Sequence, residues 1–112
     1  METIALSDRD AAEAAAGVHL AQLAAGDRMS VQHYHVEPGA VIEAHDHAHE
    51  QAGFVYAGAL TFHVDGDAYV VHAGESYVLP GGERHAVENE GADAATGIDV
   101  FSPPRPAPDW VR

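Results

Sequence analysis

Two short segments of this chain carry the residue types and spacings that hold a metal ion. In the first, Gly39-x5-His45-x-His47-x3-Gln51-x6-Gly58, two imidazoles stand two residues apart. That period makes them same-face neighbours on an extended strand, and Gln51 follows as a third donor after a bend. In the second, Gly74-x5-Pro80-x-Gly82-x2-His85-x3-Asn89, a Pro-Gly-Gly turn delivers His85 at the start of another strand. The chain has no cysteine, so thiolate ligands, disulfides and cysteine nucleophiles are excluded and any metal must rest on nitrogen and oxygen. His45, His47, Gln51 and His85 are predicted to hold one divalent ion, and their donor types suit Ni, Fe, Zn or Mn alike. Three neutral imidazoles and a neutral amide leave the ion's double charge uncompensated, which favours polarising a carbonyl, enol or hydroxyl over oxygen chemistry. A second pair, His33 and His35, lacks a matching third donor and is read as lining the barrel wall or cavity. His19, His49, His63 and His72 are read as structural, and Glu50 falls on the strand face away from the ion.

The elements that must position these groups are short strands. Gly and Pro recur at short intervals from Gly17 to Gly97, and apolar runs fill the gaps: 18–23, 29–36, 54–56, 60–64, 68–72, 77–79, 85–87 and 97–101. Many short strands at this spacing make a sandwich or barrel. The one helical candidate is 8–16, with Ser7 as its cap, an Ala-rich stretch with little amphipathic periodicity that reads as a short helix or a loose arm. At 112 residues the chain has room for one core. The expected organisation is an arm over 1–17, a barrel over 18–103 and a proline-rich tail over 104–112 that wraps the surface, with Trp110 as an anchor.

Charge narrows the partners. Eighteen acids stand against five Arg and no Lys, a formal net charge of -13 that repels phosphate backbones and anionic membranes. Such a balance fits a salt-loving cytoplasm; an ordinary acidic protein from a GC-rich genome would look the same. The first residues are acidic where a secretory leader is basic, and 18 apolar residues nowhere run uninterrupted, so a soluble cytoplasmic protein is expected.

The two metal-ligand segments resemble both motifs of the cupin superfamily, with Gln51 standing where that family usually has Glu. The resemblance implies an all-β jelly-roll barrel with a metal inside one end. A third segment, GIDVFSPPR, supplies Asp99-x-Phe101-x3-Arg105. With HDHAHEQ and the Gln ligand it is similar to the small KdgF-type cupins of pectin degradation, which open 4,5-unsaturated uronates into linear keto sugars. That similarity implies that Asp99, Phe101 and Arg105 line the pocket and are needed for activity. The residue chemistry agrees: Arg105 can clamp a carboxylate with two parallel hydrogen bonds, Asp99 can move a proton, and Phe101 can form an apolar wall. The same three residues also suit a barrel end, with Phe101 in the core, Asp99 capping a turn and Arg105 paired with a surface acid. An enzyme acting on a small anionic sugar, as a homodimer, leads; an Fe-dependent dioxygenase or lyase and a non-catalytic metal or ligand-binding module are the alternatives.

Overall fold

The computed structural model describes residues 1–105. Ten strands follow a 3-10 turn at Leu6–Asp8: β1 Ala12–Ala15, β2 Val18–Ala25, β3 Ser30–Val36, β4 Val41–His45, β5 Glu50–Ala57, β6 Ala59–Val64, β7 Asp67–His72, β8 Ser76–Leu79, β9 His85–Glu88 and β10 Ala95–Ser102. They form two sheets, β1-β2-β3-β10-β5-β8 and β4-β9-β6-β7, in which every pairing is antiparallel. Alternation explains why the sheets close on one another: along β5 and β10 every second residue is buried. Val18, Tyr34, Val36 and Val55 of the larger sheet meet Leu60, Phe62, Val71 and Val87 of the smaller in one apolar core. The result is the expected all-β jelly-roll barrel.

Local chemistry sets the connections. Asp65 and Gly66, both at positive φ, make the two-residue turn between β6 and β7, the conformation that Asp-Gly favours because it matches strand twist. Asn89 closes the barrel near the end of β9. It is 1% exposed, donates through Nδ2 to the carbonyls of Val36 and Asp93 at 3.0 and 2.9 Å, and accepts from the Gly91 N–H at 2.9 Å.

Two expectations are corrected. The stretch 8–16 forms no α-helix: its start lies in the 3-10 turn, capped at Ala5 without a side-chain bond, and Ala12–Ala15 pairs as an edge strand with β2. Alanine favours helix, but this stretch has no apolar stripe with which to dock one, and the Gly17 turn folds it back as a hairpin. The strand expected to carry both His45 and His47 ends at His45: β4 is an edge strand with mostly exposed residues and no clean alternation, and it stops short of His47. Trp110 and tail residues 106–112 lie outside the described residues.

Candidate metal centre

His45 is the last residue of β4 and His85 the first of β9, and the two are direct cross-strand partners. His47 is not on a strand with His45, as the two-residue spacing suggested. It lies in the bend between β4 and β5, and Gln51 follows as the second residue of β5. The ligand-type nitrogens of His45, His47 and His85 nonetheless lie within 4.8 Å of one another. The turn of the second segment fixes the bend of the first: the Gly82 N–H donates to the His47 carbonyl at 2.7 Å. Gly81 packs so closely there that a Cβ would sit 2.5 Å from the Ala48 carbonyl oxygen, so no side chain fits.

Each of the three imidazoles has its Nδ1 against a backbone carbonyl: His45 on Glu43 at 2.9 Å, His47 on His49 at 3.0 Å and His85 on Glu83 at 3.0 Å. A carbonyl only accepts, so each Nδ1 carries the proton and each Nε2 is left with a lone pair. Burial, the largest cause, holds the His85 pKa below its ordinary value, and the neighbouring His45 and His47 add to that; a neutral ring is the ligating form. Gln51, 7% exposed, brings Oε1 to 3.1 Å from His47 Nε2. Two acceptors facing each other repel unless a cation lies between them. Metal bonds of about 2.1 Å at right angles separate adjacent donors by about 3 Å. The four side chains therefore fit a divalent ion held by three nitrogens and one oxygen.

Asp99, Phe101 and Arg105 reach the same place. With His45, Gln51 and His85 they line a cavity of about 530 Å³ between the sheets, within the range of small-molecule pockets. Asp99 is buried, and burial pushes its carboxyl up to about 6 against the opposing pull of Tyr77, Gln51, Arg105 and His47. Phe101 is 1% exposed, with its ring centroid 5.8 Å from that of His47. The Arg105 guanidinium lies 5.0 Å over the Phe101 ring, and its backbone is tied down by its N–H to Ser30 Oγ at 2.9 Å and its carbonyl to Gln22 at 3.3 Å.

Sequence reasoning missed the groups that hold Asp99. The Tyr77 hydroxyl donates to Asp99 Oδ1 at 2.5 Å and lies 3.3 Å from the Tyr34 hydroxyl. Gly53 is the cross-strand partner of both Tyr77 and Asp99, so its missing side chain opens the path between them. Gly97 does the same under the Tyr34 ring. Glycine inside a strand pattern was the available signal, since it marks close approach. His49 was also passed over: it stacks edge-on near His47 and Phe101, and its buried Nδ1 has no partner among the described residues.

Other assignments fall away from the cavity. His33 and His35 do not line it; they sit on the outer face of the larger sheet while Tyr34 points inward, and His33 bonds the Tyr56 hydroxyl at 2.5 Å. Glu50 is exposed and Gln51 buried, as parity required. His63 and His72 pair at the surface with Glu88 and Glu75.

The cupin domain family model matches residues 32–101. A curated relative, the mannose-1-phosphate guanylyltransferase of Escherichia coli (strain K12), is 35% identical over 79 residues, and the match takes in 70% of this chain but 16% of the relative's length. Among solved structures, KdgF from Halomonas sp. superposes with a TM-score of 0.85 at 24% identity, covering 95% of this chain and 96% of that one. The polyketide cyclase RemF from Streptomyces resistomycificus gives 0.84 at 22% identity over 95% and 82%. At these identities the likeness is one of fold.

Proposed function

This chain belongs to the cupin family, and on that premise we propose that it is a metal-dependent enzyme that opens the ring of a 4,5-unsaturated uronate or a similar anionic sugar. His45, His47, Gln51 and His85 are its metal ligands, and Asp99, Arg105 and Phe101 its substrate-facing residues. The observation that carries the reading is the convergence of Asp99 and Arg105 on the cavity lined by His45, Gln51 and His85. The ion, when bound, supplies Lewis acidity toward a sugar oxygen.

The chain's own groups supply the rest. Arg105 fixes the sugar carboxylate with its planar fork. Asp99, held through one oxygen by Tyr77, has its other oxygen to take a proton from the anomeric hydroxyl and deliver one to the enol carbon. As the hydroxyl proton leaves, an aldehyde forms, the bond from the anomeric carbon to the ring oxygen breaks, and the ring oxygen becomes a ketone once the enol carbon is protonated. Atoms and electrons balance without a co-reactant. Phe101 closes the apolar side of the cavity and holds the Arg105 guanidinium over its ring.

Elemental analysis of untagged protein, followed by ultraviolet monitoring of added 4,5-unsaturated galacturonate or guluronate, tests this. Metal-loaded protein is expected to accelerate loss of the enol absorbance, and Asp99→Ala and Arg105→Ala to abolish the acceleration. Decay at the background rate with metal-loaded protein rules the uronate reading out.

We also propose a homodimer, on the exposed apolar residues of the larger sheet. Phe54, Tyr56 and Val78 lie 41%, 50% and 61% exposed on the outer face of the larger sheet, a contiguous apolar patch suited to a second copy. Sedimentation at micromolar concentration is expected to give twice the chain mass.

A further inference from the structure

We propose that a second divalent cation binds outside the barrel, at the β1-β2-β3 edge of the larger sheet, held by Glu13, His19 and Glu37 with His35 beside them. The ligand-type atoms of Glu13, His19 and Glu37 lie within 4.8 Å of one another. Their convergence follows from register. Glu13 on β1 is the cross-strand partner of His19 on β2, which is the partner of His35 on β3, so three strands present one row of donors across the outer face. Glu37, just beyond β3 and two residues past His35, falls on that face too. The His19 and His35 rings are 5.9 Å apart, and the pair His33-x-His35, whose chemistry the barrel centre does not use, is thereby divided: His33 bonds Tyr56 and His35 faces this row.

The carboxylates are steered into place. Glu13 Oε2 accepts the Gly17 N–H at 2.9 Å, and Glu37 Oε2 lies 3.2 Å from His19 Nε2. A Cβ on Gly17, which has φ +76°, would sit 3.1 Å from Glu37 Oε2, so the bare turn is what lets the second carboxylate approach. Without an ion, His19 Nε2–H donates to Glu37; a divalent cation that replaces that proton would be shared by both carboxylates, and among the described residues Glu37 pairs with no arginine that would compete for it. One imidazole and two carboxylates suit Zn²⁺, Ni²⁺ or Co²⁺, with water or His35 completing the shell; Mg²⁺ and Ca²⁺ prefer oxygen donors throughout. The consequence is mechanical. β1 is an edge strand with an irregular register, and a shared ion would pin it to β2 and β3.

Titration of the full chain with Zn²⁺ by calorimetry and equilibrium dialysis, continued past the first equivalent, tests the site, with hydrogen exchange of the β1 amides as a second readout. Wild type is expected to show a second binding event that slows β1 exchange. Glu13→Gln/Glu37→Gln is expected to weaken that event on the order of 10-fold or more, to abolish the slowing and to keep the first event. His19→Ala should do the same; if circular dichroism shows it unfolded, the double glutamine variant carries the test. His47→Ala should lose the first event and keep the second. The proposal is overturned if wild type shows no second event, if the glutamine variant retains it, or if His47→Ala abolishes it. Loss of the first event alone bears on the barrel centre and not on this site.

Discussion

Gly53→Ala is the perturbation whose sign separates local preference from tertiary contact. Gly53 lies mid-strand at no unusual φ, so intrinsic preference makes alanine stabilising by about 0.5–1 kcal/mol. The contacts say the reverse. A Cβ there would fall 2.2 Å from Tyr77 Cζ, 2.3 Å from the Tyr77 hydroxyl and 2.6 Å from Asp99 Oδ1, all distances that force a shift. Overpacking in a closed core costs about 1–3 kcal/mol. Displacing the Tyr77 hydroxyl leaves a buried carboxylate oxygen short of a donor, about 1–3 kcal/mol more. From mid-range values the net is a destabilisation of about 3 kcal/mol, several-fold larger than the propensity gain. Urea unfolding followed by circular dichroism measures it, and the double variant with Tyr77→Ala identifies the cause. Once the ring is gone, the added cost of Gly53→Ala should fall to within about 1 kcal/mol of zero, so the pair couples strongly. A stabilised Gly53→Ala, or an equal cost with and without the Tyr77 ring, refutes the close-approach argument.

Other outcomes follow from the same geometry. His47→Ala is expected to lower affinity for the barrel metal by at least on the order of 100-fold, while His33→Ala, on the outer face, barely changes it; equal losses by elemental analysis would mean the wrong histidine pair was assigned. Asn89→Ala strands two carbonyls and an N–H in a buried position and should cost about 2–4 kcal/mol in urea unfolding. Arg105→Lys keeps the charge but loses the planar fork and the stacking on Phe101, so with the unsaturated uronate it should raise KM about 10-fold or more with a smaller change in kcat.

What the sequence made legible is what repeats or has a fixed spacing. Alternation along β5 and β10 gave their buried faces, and it put Glu50 outside and Gln51 inside. The spacing of the two motifs brought out four donors that come together in space. Two of the four edge strands were not legible: β1 and β4 carry mostly exposed side chains and no apolar run, whereas the edge strands β7 and β8 showed as the apolar runs 68–72 and 77–79. Nor was the course of the chain between His45 and Gln51. A period of two argues for one strand face, yet His47 reaches the centre from a bend, because the Gly82 N–H holds its carbonyl.

That last contact explains why the two motifs belong together. The Pro-Gly-Gly turn does two jobs at once: it starts β9 so that His85 faces His45 across the strand pair, and it holds the loop that carries His47. The tyrosines behave in the same way on the other side of the cavity. Tyr77 can hold Asp99 only because the strand between them has glycine at the crossing point, and Tyr34 passes over Gly97 on the neighbouring strand. In both cases a side chain of the proposed site is oriented by a residue that has no functional side chain of its own. Such residues look like turn punctuation or strand defects until the strand order is known, and the pairing of β5 with both β8 and β10 is what turns Gly53 from a weak point in a strand into a condition of the site.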